Sequence, residues 1–378
     1  MSPPVAVAVV GAGLAGLAAA TAAHRAGLSV AVLERAPLPA SAWGAVALSP
    51  TAVAALNTLG LGPQLRHASC PIDRLRFFTP AGRPLGTISL TAAADAAGAP
   101  LILVERSTLL AALTAALPRT TIRHSVTLTD LSDHGERVRL STSGAETLEA
   151  SVVVGADGLR SIVRARLHGD APPRPVPVSI WAGFAPLQPA ALRREAHIVL
   201  GADAHAIALP APRGRTWWLV GVPASSGTQE PRRLLSGWPS PFPQLLARTP
   251  GRQRRRAALH DRRPLARWGQ GRVTLAGDAA HPCAPHLGQG ASMSIDDAAV
   301  LGGALQAEGA SAAALRRYES TRQAATAGIV AQSAWSARLC SSGPVGMGLV
   351  QALIGPSLAA AGPLLPALVR SALRGQRR

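Results

Sequence analysis

The sequence predicts an α/β protein: parallel strands ending in glycine turns, an inserted antiparallel sheet, and helices towards the C-terminus. Three observations predict it. Short β-branched apolar runs feed into glycine turns at three places, "VAVAVVGAGLAG", "SVVVGADGLR" and "GRVTLAGDAAHP", as buried parallel strands do. Stretches of helical composition follow these turns. Between the second and third turns lie period-2 runs such as "HIVLGADAHAIALP" and "RTWWLVGVP", which read as strands of an antiparallel sheet.

Composition narrows the class. A chain of 378 residues, 48% hydrophobic and 15% charged, can bury a large core. The net charge of +18 comes from arginine alone, since the chain has no lysine. Heavy use of Ala, Gly, Pro and Arg then reads as genomic base composition rather than as a signal of an acidic partner. Aromatic residues make up only 3%, little material for stacking nucleic-acid bases. The densest basic run, "RQRRRAALHDRR" at 252–263, has no aromatic interleaving, and is expected to be a solvated loop near acidic ligands rather than a nucleic-acid patch. Cys70, Cys283 and Cys340 are too scattered for a disulfide framework, so a cytoplasmic setting is expected. The N-terminus lacks the positive n-region of a signal peptide. Residues 343–369 carry no charge but include four prolines, so two short helices packed on the body are expected, with a peripheral membrane contact the lesser reading.

Each element of the first turn has a physical reason. Val5–Val10 leads into Gly11, Gly13 and Gly16, the G-x-G-x-x-G spacing, with Ala12, Leu14 and Ala15 between them. The first glycine permits a tight turn, the second lets backbone approach a pyrophosphate, and the third lets helix pack close to strand. Helix 14–26 then aims its N-terminal amides at the phosphates. A second apolar run ends at Glu34, whose carboxylate suits the hydroxyls of an adenosine ribose and would repel a 2′-phosphate. FAD and NAD both fit this motif taken alone.

The two later motifs choose between them. Residues 151–164 carry Asp157 and Gly158 after a buried strand, then Ser161 and Arg164; residues 271–290 carry Gly277 and Asp278 after another. With these in place the chain resembles the group A flavoprotein monooxygenases, the family of para-hydroxybenzoate and salicylate hydroxylases, over most of residues 4–335. The resemblance implies a Rossmann-like, glutathione reductase-type FAD domain made of residues 1–70, 96–172 and 268–335. It implies a substrate domain of 71–95 and 173–267, and a C-terminal helical segment of 336–378. It gives the ADP half of FAD to Gly11–Gly16 and Glu34 with Arg35 adjacent, and makes Arg106 of "VERSTLLAALTAAL" a flavin contact. Asp157 is implied near the pyrophosphate and in NAD(P)H handling, and Asp278 on the ribityl chain.

His281, Cys283 and His286 stand at distances a metal could use, but a closed site needs four ligands or three with an open position. In the light of the resemblance, Pro282, Pro285, Gly288 and Gly290 shape a loop beside the flavin, and no metal is expected. His281 is then a packed, hydrogen-bonded histidine. The helix beginning near Gly290 and Ala291 would aim amides at the flavin N1 and O2 region, where charge collects on reduction. Three positions depart from the family pattern: Ser292 and Thr51 replace asparagines, and Asp296 replaces a glutamate.

On the substrate side, Trp181, Phe184, Trp217 and Trp218 are candidates for the wall above the flavin, and the carbonyl of Pro285 is a candidate substrate neighbour. Arg213 and Arg215 would suit an aromatic acid. His205 is a candidate base for a phenol, because histidine changes charge near neutral pH. The implied chemistry is reduction of FAD by NAD(P)H, addition of O2 at flavin C4a, and transfer of one oxygen atom from the hydroperoxide to an electron-rich small molecule, as hydroxylation or epoxidation. The flavin carries this chemistry, and the protein supplies position, charge and dryness. A halogenase of this fold needs a lysine, which the chain lacks. A reductase or oxidase of the same fold, or a non-catalytic lipid carrier, remains an alternative.

Overall fold

The computed structural model describes residues 3–37, 42–119, 121–144, 146–226, 229–339, 343, 347–348 and 351–352. The expected C-terminal helices lie almost wholly outside them. Among the described residues no helix is long and apolar enough to cross a membrane.

Two seven-stranded sheets and one three-stranded sheet organise the described residues. In the first sheet the strands run in the order Ile122–Arg123, Val30–Leu33, Val5–Val10, Thr147–Gly155, Val138–Thr142, Leu128–Asp133. Strand Val273–Leu275 adds in parallel beside Thr147–Gly155. Val10 pairs with Gly155, and Gly155 pairs with Leu275. Three parallel strands therefore end at one level, and the turns that follow them meet at a single edge although they are far apart in sequence. That carboxyl edge is where open parallel sheets bind ligands.

Helix Leu14–Arg25 lies against this sheet with every residue from Leu14 to Ala23 buried, which its run of alanines permits by keeping the helix slim. It packs against helix Gly290–Glu308, which in turn packs against Ala312–Leu339.

The second sheet runs Arg254–Asp261, Arg174–Ala185, Arg215–Pro223, His205–Ala211, Glu195–Leu200, Arg74–Phe78, Pro84–Ser89. It departs from a purely antiparallel sheet at one pair: Glu195–Leu200 and Arg74–Phe78 run parallel. These two strands come from separate chain segments, so no hairpin forces them antiparallel. The basic run expected as a loop is the strand Arg254–Asp261, and lies at the end of this sheet. Arginines discourage pairing at such an edge.

Side-chain alternation gives the second sheet two different faces. On the outer face Trp218, Val220, Val222 and Ala208 pack under Phe242 and Leu245 of a covering helix. On the inner face Ala182, Phe184, Leu209 and Trp217 pack against Trp43, Ala45 and Leu103. The last two belong to the three-stranded sheet of Ala45–Leu48, Leu101–Glu105 and Ser69–Ile72. That small sheet joins the two larger layers.

Candidate functional site

The three turns touch. A β-carbon at Gly11, whose φ is +101°, would lie 2.6 Å from the Ala156 carbonyl oxygen and 2.9 Å from Asp157 Cα. One at Gly16 would lie 1.8 Å from the Gly11 carbonyl oxygen, and one at Gly277 would lie 2.5 Å from Ala15 Cβ. Gly13 differs: apart from its own chain neighbours, no atom lies within 4 Å of the place its β-carbon would take. Two of the fingerprint glycines serve internal packing, and the middle one faces open space where a phosphate could approach.

Electrostatics agree. Helix Leu14–Arg25 starts without a side-chain cap and without an acidic residue in its first turn, and so does helix Gly290–Glu308. Their N-terminal dipole ends are left for an anionic group. Glu34 accepts from Ala12 N at 2.7 Å and from Ala36 N at 2.9 Å, which fixes the carboxylate beside the glycine turn. Arg35 follows it and is exposed.

Asp157 lies in the turn next to Gly11, but its carboxylate faces the helix Ile162–His168 that follows it. Oδ2 accepts from Ile162 N at 2.7 Å and Val163 N at 3.3 Å. Burial raises its pKa despite these bonds, and Oδ1 is buried without a partner. Arg164, on the same helix, donates to the carbonyls of Ala279 (3.1 Å), Ala280 (3.3 Å) and Arg263 (2.8 Å). This guanidinium, its pKa lowered to about 10 by burial and by Arg262, ties the second turn to the third.

Asp278 is exposed to solvent, yet protein surrounds it closely enough to raise its pKa by burial, against the opposing charges of His281 and Arg106. A group both crowded and wet sits in a concave cleft. Arg106 opens helix Arg106–Ala115, is exposed, and donates its backbone N–H to the Gly44 carbonyl at 2.9 Å. Beyond Asp278 the chain forms a short turn at Pro285–Leu287, a left-handed Gly288, and then the helix that begins at Gly290 and Ala291. Pro285 is exposed.

His281 is packed and hydrogen-bonded, with Nε2 2.6 Å from Asp297 Oδ2. Asp297 also accepts from Gly277 N at 2.9 Å and from Arg322 Nε at 2.8 Å. His281 and Arg322 hold this carboxyl well below the usual range although burial opposes them. Sequence reasoning missed Asp297 and Arg322. The available signal was that a buried histidine beside a turn needs a hydrogen-bond partner. The side chain of His286 lies outside the described residues. Among those described, no three His, Cys, Asp or Glu side chains are grouped to hold a metal ion. Burial and the charge of Asp278 push the thiol of Cys283 up to about 12.

The three departures from the family pattern turn out to be neighbours. Ser292 Oγ accepts from Ser49 N at 2.9 Å, Thr51 Oγ1 donates to Asp296 at 3.3 Å, and Ser49 and Thr51 hydroxyls meet at 2.9 Å. Shorter side chains on one helix are met by a short side chain on the other, so the junction closes.

The inner face of the second sheet forms the other wall. Val176 and Val178 pack under Ala284 of the loop, while Phe184 and Trp217 pack with Trp43, at ring separations of 6.4 and 5.1 Å from it. Between these anchors lies a row of paired residues, Leu200–His205–Gly221–Ile180–Ala257, and beside it the row Ile198–Ile207–Leu219–Ala182. Ile180, Ile198, Ile207, Leu219 and His205 are all half-buried: four aliphatic side chains and one imidazole that no protein layer fully covers.

Two expectations for this wall need correction. Trp181 packs with the outer-face cluster, because it is one residue out of step with Ile180 and Ala182; Trp218 is fully buried on that same face, and its Nε1 donates to Thr249 Oγ1 at 2.8 Å. Arg215 is hydrogen-bonded to Glu105 and lies 4.8 Å from the Phe184 ring centre, so its charge is already matched. Arg213 is an exposed turn residue.

The donor set fits a flavin dinucleotide. The uncapped end of helix Leu14–Arg25 and the open Gly13 suit the pyrophosphate, the uncapped end of helix Gly290–Glu308 suits negative charge on the flavin ring, Glu34 beside the first turn suits a ribose, and Asp278 in the cleft suits the hydroxyls of a ribityl chain. Fold and site thus define a flavoprotein of the FAD-binding α/β class. A family model described as "FAD binding domain" matches residues 4–333. An aurachin C monooxygenase/isomerase of Stigmatella aurantiaca is 30% identical over 323 residues, 84% of each chain. A 3-amino-4-hydroxybenzoate 2-monooxygenase of Streptomyces platensis is 34% identical over 335 residues, 84% of this chain and 83% of the other. Klebsiella pneumoniae HpxO, solved with FAD and uric acid, has the same fold, with a TM-score of 0.86 at 23% identity over 97% of both chains. The chain belongs to the FAD-binding domain family and is a group A flavoprotein monooxygenase. Its cofactor is FAD.

Proposed function

We propose that this monooxygenase uses NAD(P)H and O2 to hydroxylate a hydroxyl-bearing aromatic ring, with His205 as the base that removes the hydroxyl proton. The observation that carries the reading is the place of His205: an imidazole in the centre of a half-open aliphatic floor, level with Ile180 and between the Ala284 loop and the Trp43–Phe184–Trp217 cluster. The names of the relatives, which act on aurachin C and aminohydroxybenzoate, support the substrate class.

Gly11, Ala12, Gly13, Leu14, Ala15, Gly16, Glu34 and Arg35 would hold the ADP half of FAD. Arg106, Asp157, Gly277, Asp278, Pro285, Gly288, Gly290 and Ala291 would surround the rest. Bound FAD supplies the redox chemistry that delivers one atom of O2 to the substrate. The residues supply the remainder: the amides at Gly290 and Ala291 favour negative charge on the ring, Ile180, Ile207 and Leu219 exclude water, and His205 takes a proton so that the aromatic ring becomes electron-rich. Residues 71–95 and 173–267 would form the substrate domain, and residues 1–70, 96–172 and 268–335 the flavin domain. A cytoplasmic setting is supported by Cys70 and Cys283, which are free thiols.

The test is oxidation of NADH and NADPH by FAD-loaded enzyme under labelled oxygen, with 3-hydroxybenzoate, 2-aminophenol and 4-hydroxyquinoline as probes. Incorporation of one labelled atom into a probe is the expected result. Consumption of NAD(P)H that yields only H2O2 with every hydroxylated ring tried would overturn the reading in favour of an oxidase.

A further inference from the structure

We infer that Gly221 is a positioning residue that aims His205 over the half-open aliphatic floor and so helps decide which substrate hydroxyl is deprotonated; this rests on the reading of His205 as the base. The two residues are direct cross-strand partners. A β-carbon at Gly221 would lie 2.0 Å from His205 Cε1, 2.2 Å from Nε2 and 2.9 Å from Nδ1, all well inside van der Waals contact. The imidazole therefore occupies the space that any other residue at 221 would fill. It lies across the strand Arg215–Pro223 rather than upright on its own. Across that strand the next residue in the row is Ile180, so the ring leans from its own strand towards the middle of the aliphatic floor.

The outer face offers a contrast. A β-carbon at Gly183 would lie 2.6 Å from Trp218 Cζ2, so there too a ring lies over a glycine on the neighbouring strand. Trp218 is fully buried under the covering helix, where its ring packs and its Nε1 bonds Thr249. His205 is half-buried on the face turned to the cleft, and a ring so placed can meet a ligand. The same device, a glycine that yields its space to a cross-strand ring, serves stability on one face and presents a base on the other.

Replacement by alanine separates these roles cleanly. The backbone at Gly221 does not have a positive φ, so alanine fits the strand. The atoms that a β-carbon there would meet belong to a half-buried side-chain ring and not to backbone, so the ring can give way and the fold should survive.

The experiment compares wild type, Gly221→Ala, His205→Gln and the double variant, all FAD-loaded, with 3-hydroxybenzoate and 4-hydroxyquinoline. Two signals are read: probe-stimulated NAD(P)H oxidation as a function of pH, and the shift that each probe causes in the His205 imidazole resonance of 15N-histidine-labelled protein. Loss of kcat on the order of 10²-fold in His205→Gln is the size expected of a general base. Gly221→Ala should approach that loss, erase the same acid limb of the pH profile and abolish the probe-induced shift. The double variant should be no worse than His205→Gln, because a residue acting through another gives non-additive effects. Wild-type rates, pH profile and shift in Gly221→Ala, alongside a crippled His205→Gln, would overturn the inference and leave His205 as base. An unimpaired His205→Gln would overturn both.

Discussion

His281 and Asp297 meet in the interior at 2.6 Å, sixteen residues apart in sequence, directly behind the turn that presents Asp278. Asp297 receives Gly277 N and Arg322 as well, so one carboxylate fixes the turn, the imidazole and the helix Ala312–Leu339 together. The flavin-side turn is thereby built on a buried ionic knot rather than on apolar packing alone.

Asp297→Asn should be destabilised by about 3–5 kcal/mol at neutral pH, the usual result of breaking a buried pair from one side. The pH dependence follows from the depressed pKa of Asp297. Its contribution is full above the ordinary aspartate value of about 4 and drains away as the pH falls through the lower folded-state value. The difference in Tm between wild type and variant, followed by calorimetry, should therefore shrink steadily on acidification from pH 5. A difference independent of pH would contradict this account.

Gly13 and Gly11 should respond oppositely to substitution. Gly13→Val meets open space in the apoprotein, so its Tm should hardly change while FAD affinity falls by at least about tenfold, ~1.4 kcal/mol. Gly11→Ala places a β-carbon against the Ala156 carbonyl in a left-handed backbone and should cost about 3 kcal/mol of stability. Thermal unfolding of apoprotein with flavin fluorescence titration reads both.

Asp278→Ala should yield folded, largely colourless protein; purification with a full complement of FAD would show that the ribityl contact is elsewhere. Stability adds a second signature. The pKa of Asp278 is raised by burial, so its contribution is full below the ordinary aspartate range and is lost as pH rises through the folded value. Apo Asp278→Asn should thus gain on apo wild type as pH is raised from 4 to 7 in parallel melts.

Trp181→Phe and Trp217→Phe should divide function from packing. Trp181 lies on the outer face with its Nε1 buried and unpartnered, and removing an unsatisfied N–H is nearly neutral or favourable. Its variant should keep wild-type turnover. Trp217 packs at 4.6 Å from Phe184 and 5.1 Å from Trp43, and its variant should raise the share of reducing equivalents lost as H2O2, measured with a peroxidase-coupled assay.

The local sequence carried the glycine turns, the strands that feed them and the alternation of the second sheet, because each is governed by backbone dihedrals and by the periods 2 and 3.6. Gly11 and Glu34 could be placed by such rules, whereas the places of Asp278 and of the helix from Gly290, and with them the flavin fold, followed from the resemblance to the flavoprotein monooxygenases. What tertiary structure alone decided is which groups meet across long separations. The meeting of Val10, Gly155 and Leu275 at one level, the knot of His281, Asp297 and Arg322, the pairing of Arg215 with Glu105, and the outward side of Trp181 all depend on sheet register and helix docking. A shift of one residue in register exchanges inside for outside, and no local pattern around Trp181 or Gly221 contains that information.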